Sequence, residues 1–257
     1  MAGRRIPHGD GTGRDSFPPE GAGDGTFTKD SAERSPRVTV LICALNEEEN
    51  LPHVLPRIPK WVHEVLLVDG HSTDDTVALA KKLLPNIGVL QQPGRGKGDA
   101  LRYGIARAEG EIIVTLDADG QTDPAELGRF VDAIQDGYDF AKGTRFRRPF
   151  SRSRPIHRIL GNCIISVTFN VLFFRLYTDI CSGYNAFRRQ AVKAIDFFHK
   201  DGLADEPLLL ARVCKAGLSV VEVSHRDPPR LSGVSKAPSW GQGFRAIRTV
   251  VGERFRR

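Results

Sequence analysis

Asp117 and Asp119 stand one residue apart just after an apolar run, Ile112 to Leu116, and Gly120 and Gln121 follow. A buried strand that stops this way sets both carboxylates at the carboxyl edge of a sheet, where open α/β sheets bind their ligands. Two hard carboxylate ligands beside a carboxamide suit Mg2+ or Mn2+. A cation held by so few protein groups fills its shell with water and substrate phosphate, so the stretch reads as a metal–diphosphate site. A structural reading competes with it: Asp-Gly and the Asp123-Pro124 pair make a turn and cap a helix. So short a motif does not choose between the two.

Other residues could serve the same chemistry. Asp69 ends a second apolar run, Glu64 to Val68. Lys97 lies in Gly94-Arg95-Gly96-Lys97-Gly98, which lacks the G-x-x-x-x-G-K-S/T spacing of a P-loop, so an ATPase is rejected. From Phe140 to Thr178 there is no Asp or Glu, and the window carries a charge of +8 against +6 for the whole chain. Six of its arginines fall between Arg145 and Arg158, among Pro and Ser, in what reads as a basic loop. Without interleaved aromatics to stack on bases, that loop is a poor nucleic-acid site. Asp205-Glu206 opens a helical stretch, either as a possible general base or as acids favoured by the helix dipole.

The elements that must position these residues follow from periodicity. Arg37 to Cys43 is a near-continuous apolar run, the pattern of a strand buried on both faces of a parallel sheet. A short helix is expected after Asn46–Asn50, limited by Pro56 and Pro59. Strands at 64–69, 87–90, 111–116 and 138–142 alternate with a helix capped by Ser72 or Thr73 and running to Leu83, a helix over 97–108, and a helix over 123–135 capped by Asp123. The alternation implies βαβ units, which brings Asp69, Asp117 and Asp119 to one crevice. Ile159 to Leu176 is an apolar helix with Asn162, Ser166 and Asn170 at i, i+4 and i+8. It suits either a bilayer surface or a core in which those polar groups pair internally. A turn and strand at 179–189, a helix over 205–215, a strand at 218–223 and a basic amphipathic helix over 240–257 complete the chain.

With 257 residues and 40% hydrophobic content, the chain fits one large domain plus a tail, residues 1–35, rich in Gly, Pro, Asp and Ser and expected to be disordered. The ordered domain is expected over 36–238, with 239–257 a separate helix. Cys43, Cys163, Cys181 and Cys214 form no CxxC pair and are expected to be free, buried thiols. No signal peptide is visible. No uninterrupted apolar stretch reaches the ~20 residues of a confident transmembrane helix.

In order, the blocks Asn46-Glu47-Glu48-Glu49-Asn50-Leu51, Val68 to Thr76, Gly96 to Leu101, Asp117-Ala118-Asp119-Gly120-Gln121, Gly143 to Phe146, Asp179 to Gly183 and Arg230 to Lys236 resemble those of family 2 glycosyltransferases. The similarity is greatest to the dolichol/polyprenol-phosphate mannose or hexose synthases. Cys43 and Gly70 depart from the family's usual Pro and Asp. The resemblance implies an α/β, GT-A fold, with a Rossmann-like, mostly parallel central sheet flanked by helices and amphipathic helices near the acceptor site. It implies a metal-dependent, inverting transfer of a hexose from GDP-mannose or a UDP-hexose to a polyprenyl phosphate. Asn46, Glu47, Asp69, Lys97, Asp117 and Lys236 would bind the nucleotide sugar. Asp117, Asp119 and Gln121 would hold Mg2+ or Mn2+. Arg145, Arg158 and Ser235 would hold the acceptor phosphate, and Asp119, Arg145 and Arg230 would be the catalytic set. The same resemblance implies a cytoplasmic protein, peripheral at the cytoplasmic membrane face, with room for a membrane partner subunit. Transfer to a hydroxyl of a soluble or saccharide acceptor, and a non-catalytic GT-A-like binding subunit, are the alternatives.

Overall fold

The computed structural model describes residues 35–146, 156–195, 206–232 and 239–256. The tail expected over 1–35 therefore lies outside the described residues, except Ser35. So do Arg147, Arg148, Arg152, Arg154, Asp205, Ser235 and Lys236.

The apolar run after Arg37 forms β1 (Val38–Ala44), an interior strand of the sheet. Its alternate residues feed two cores: Val40 and Ile42 pack into one, Leu41 into the other, which is why the run does not alternate with polar residues. β1 pairs in parallel with β2 (Glu64–Asp69) on one side and β4 (Ile112–Asp117) on the other. The register sets Ala44 beside Asp69 and Cys43 beside Asp117, so the strand-end carboxylates emerge at one edge. β3 (Gly88–Gln91), β5 (Phe140–Thr144), β6 (Asn185–Arg188) and β7 (Val220–Ser224) extend the sheet to the order β3-β2-β1-β4-β6-β5-β7. β6 runs antiparallel to both β4 and β5.

Helices cover both faces, the two-sided layering that a parallel sheet needs. α1 (Leu51–Val54), α2 (Thr76–Leu83) and α4 (Leu127–Gln135) bury Leu51, Ala80, Phe130 and Ile134 on one face. α3 (Lys97–Arg107), α5 (Ile156–Phe173), α7 (Glu206–Lys215) and α8 (Ser239–Phe255) bury Ile105, Phe169, Leu209 and Val250 on the other. A short α6 (Arg189–Ala194) follows β6 directly, in a stretch to which the sequence reading, beyond its strand ending at 189, assigns no element.

The expected caps divide. Asp123 caps as read: its carboxylate accepts from the Ala125 amide at 2.9 Å and opens a 3-10 turn that leads into α4. Ser72 and Thr73 do not cap α2, whose N-cap is Asp75, without a side-chain bond. The Ser72 hydroxyl instead accepts from the Asn46 amide, and that of Thr76 from the Glu47 amide, tying the loops after β1 and β2 together.

α5 buries Ile165 and Phe169 yet keeps a second apolar side outside, with polar groups among its inward residues. Ser166 is buried and its hydroxyl accepts from the Ile180 amide, while Asn170 brackets the Tyr177 backbone, accepting from its amide at 2.9 Å and donating to its carbonyl at 2.8 Å. The polar groups thus pair inward. Ile156, Leu160, Ile164, Val167 and Val171 face outward, and beyond the helix Phe174 is 81% and Leu176 91% exposed. By length and composition α5 could cross a membrane. α8 lies against α5 and α7 and adds exposed Phe244 and Phe255 to that side. The four cysteines are free, as expected, but Cys163 on α5 is exposed and Cys43, Cys181 and Cys214 are half-buried rather than buried.

Candidate active site

A cavity of about 770 Å3 opens at the carboxyl edge of the sheet. Glu47, Lys97, Asp117, Asp119, Arg145, Arg158 and Arg230 all line it, so these seven residues, singled out in the sequence, converge from six separate segments. Pro207, Ile164, Phe244 and Ile247 give it an apolar wall drawn from α7, α5 and α8.

Three of the cavity's cations, Lys97, Arg145 and Arg230, rest on carboxylates. Lys97, at the first turn of α3, makes ion pairs with both Asp117 and Glu206. Burial works against its charge, but those two acids hold it well above the usual lysine range. The approach is close because residue 183 is a glycine: a Cβ there would lie 2.3 Å from Asp117 Oδ2 and 2.7 Å from Lys97 Nζ. One Arg230 nitrogen donates at 2.7 Å to both oxygens of Glu47, and the other stands 3.4 Å from Asp119. Arg145 grips Asp179 through two bonds of 2.6 and 2.9 Å. Burial raises the Asp179 carboxyl, but Arg145 overrides it and holds the group down at about 2.

Asp119 behaves differently. Burial, then the neighbouring Asp117 charge, pushes its carboxyl up to about 6. Two carboxylates this close are a hard-oxygen donor set that fits Mg2+ or Mn2+. Among the described residues no group of three His, Cys, Asp or Glu side chains converges on a metal position, so a cation here would draw further ligands from diphosphate and water. Gln121 does not line the cavity; its carboxamide donates to the Pro228 carbonyl at 3.4 Å.

Two other candidates sit behind the wall. Asp69 is buried and its carboxylate accepts from the His71 and Ser72 amides, so Gly70, not Asp69, faces the cavity. Asn46, at a φ of 52°, turns its side-chain oxygen to the Thr73 amide. Both shape the loops that bound the cavity.

The sequence reading gave no role to Asp179 or Lys142. Asp179 ends the acid-free window of 39 residues, and a lone acid after so long a basic run was a legible signal for a buried partner. Lys142 is fully buried in β5 and donates to the Ser182 carbonyl at 2.6 Å. Burial lowers its ammonium to about 8.

This sheet order, with carboxylates and phosphate-seeking cations at its carboxyl edge, defines a GT-A glycosyltransferase. A structure of glucosyl-3-phosphoglycerate synthase from Mycobacterium tuberculosis with Mn2+, UDP and phosphoglyceric acid aligns with a TM-score of 0.63 at 21% identity, covering 86% of this chain and 79% of that one. The likeness establishes the fold. The profile of Glycosyl transferase family 2 matches residues 39–196, and the chain belongs to that family. It is 35% identical over 207 residues to an uncharacterized glycosyltransferase of Mycobacterium tuberculosis, covering 77% of this chain and 88% of that one. It is 33% identical over 230 residues to a polyprenol monophosphomannose synthase of Mycolicibacterium smegmatis, covering 84% and 86%. A dolichyl-phosphate hexose transferase of Haloferax volcanii is 30% identical over 189 residues, covering 72% and 80%. The protein is thus a family 2 glycosyltransferase resembling the polyprenol-phosphate hexose synthases.

Proposed function

We propose that the protein transfers a hexose from a nucleotide diphosphate sugar to a polyprenyl phosphate at the bilayer surface. The observation that carries this reading is one cavity lined both by Asp117, Asp119, Lys97 and Arg230 and by Arg145 and Arg158, with an apolar wall that continues onto the exposed sides of α5 and α8. The first set suits a metal-bound diphosphate and the second a lipid phosphate, since the arginine fork matches phosphate oxygens.

Asp117 and Asp119, with Gln121 near them, would hold Mg2+ or Mn2+, which when bound stabilises the negative charge gathering on the leaving nucleoside diphosphate. Lys97 and Arg230 supply further positive charge to the same phosphates, and Glu47 orients Arg230. Arg145, locked by Asp179, and Arg158 hold the acceptor phosphate in line with the sugar. A phosphate oxygen forms the new bond to the anomeric carbon as the bond to the diphosphate breaks, which inverts the configuration. A phosphate monoester, with a second pKa of ~6, is already largely dianionic at neutral pH and needs no strong base. Ser235 and Lys236, outside the described residues, belong to the loop that would close on the donor. The exposed apolar side of α5 and α8 supports peripheral attachment. The relatives' names give a membrane partner subunit no support.

The assay offers GDP-mannose, UDP-glucose and UDP-GlcNAc, each with and without polyprenyl phosphate and Mn2+. Label is expected in the lipid extract and only with metal. The second reading, transfer to a hydroxyl, is favoured by one observation: Glu206 lies in the cavity where a general base could act. Label found only on water-soluble sugar would replace the first reading with the second.

A further inference from the structure

Glu206 is an acid in the cavity that transfer to a phosphate does not use. Its ion-pair partner is Lys97, which also contacts Asp117. A single ammonium therefore bridges one carboxylate of the candidate metal pair and one carboxylate outside it. Arg230 repeats the pattern on Asp119, with Glu47 as the outside carboxylate. Each carboxylate of the pair thus faces an internal cation, and each cation has a second anchor.

That arrangement has a consequence for binding. A divalent ion approaching Asp117 and Asp119 meets an ammonium and a guanidinium already in contact with them. If Asp117 were the sole partner of Lys97, displacing the ammonium would leave an unpaired charge in a partly buried cavity, which is unfavourable. Glu206 removes that cost, because Lys97 keeps one carboxylate when it yields the other. A diphosphate arriving beside it then offers the ammonium a second anion.

Resting on the donor-site reading above, we infer that Glu206 is a positioning residue that holds Lys97 as a built-in counter-cation on Asp117, so that a divalent ion binds by exchange with Lys97 and the nucleotide diphosphate, by accepting the released ammonium, makes metal and nucleotide binding cooperative. Reciprocity follows: the factor by which nucleotide tightens the metal is the factor by which the metal tightens nucleotide. Gly183 belongs to the device, since any side chain there would meet Asp117 and Lys97.

The test is Mn2+ binding to the full chain, read from the loss of the free-ion paramagnetic resonance signal, without nucleotide and with UDP or GDP. In the wild type one of these nucleotides is expected to tighten Mn2+ roughly tenfold or more. Lys97→Met is expected to tighten Mn2+ binding in the absence of nucleotide and to shrink the coupling toward one. Glu206→Gln is expected to act in the opposite direction, weakening nucleotide-free Mn2+ binding, because Lys97 is left with Asp117 alone. A merely structural role for both residues would weaken binding in both variants. Should Lys97→Met fail to fold by circular dichroism, Lys97→Gln, which keeps hydrogen-bond donors but no charge, is read in the same way. Nucleotide-free Mn2+ affinity that is unchanged or weaker on removal of the Lys97 charge overturns the inference. So does a wild-type chain that binds nucleotide yet holds Mn2+ equally well without it, which leaves the donor-site reading standing. A wild-type chain that binds neither UDP nor GDP overturns both.

Discussion

Asp119, Arg145 and Gly183 carry the sharpest expectations at the scale of single residues. Asp119→Ala should lower the transfer rate by ~10^2-fold or more while leaving the circular dichroism spectrum unchanged, because it removes half of a carboxylate pair. Gly183→Ala should also cost activity with little change in fold, since its Cβ would fall 2.3 Å from an Asp117 oxygen; unaltered donor binding by this variant would show that the close approach does not matter. Arg145→Ala leaves the buried Asp179 carboxylate without its bidentate partner and should destabilise the protein by ~3–5 kcal/mol in urea unfolding.

The pH dependence of stability follows from the same groups. Asp179, held at about 2 in the folded state, has a pKa below its ordinary value of 3.8. Its contribution is present above the ordinary value and is lost as pH falls from there toward 2. Lys142 has the opposite bearing. Its ammonium is lowered from 10.5 to about 8, so the unfolded chain binds the extra proton between these values and stability rises with pH across that window. The urea midpoint of the wild type should rise relative to that of Lys142→Met as pH climbs from 8 to 10.5, the comparison cancelling the other groups that titrate there.

At the scale of elements, α5 is the helix whose packing the sequence describes least well on its own. Its apolar content suits a core helix, a membrane span or a surface helix equally. Tertiary partners decide: Ile180 and Tyr177 take the polar groups inward, and the apolar side remains outside. Val167→Asp with Val171→Asp should leave the unfolding midpoint nearly unchanged, since both positions are more than 60% exposed. The same pair should reduce co-sedimentation with vesicles containing anionic lipid. Retained vesicle binding would rule this face out as the attachment surface. α8 is bound in more firmly than a terminal appendage would be. Glu253 pairs with Arg212 and Lys215 of α7, and Arg254 donates to the Leu172 carbonyl on α5. Truncation before residue 239 should therefore lower stability and broaden the unfolding transition, not merely remove a tail.

For the molecule as a whole, every described residue of the site lies within residues 36–256, inside one unit of tertiary contacts. A chain beginning at residue 35 should keep its transfer activity within about twofold of the full chain; loss of activity would assign a role to the preceding residues.

By itself the sequence determined the alternation of strands and helices, and with it the edge on which Asp69, Asp117 and Asp119 emerge. Period and composition are local properties, and a parallel sheet converts them into position through register. The 39-residue acid-free stretch was likewise legible as a concentration of positive charge. Only the tertiary structure decided which carboxylates face the cavity. Asp69 turns to its own loop amides, and Gln121 toward the Pro228 carbonyl. It also decided that Lys97 meets Glu206, 109 residues away, and that Arg230 meets Glu47, 183 residues away. Such pairs leave no periodic trace, because long-range contacts are chosen by burial and charge balance after the chain has closed upon itself.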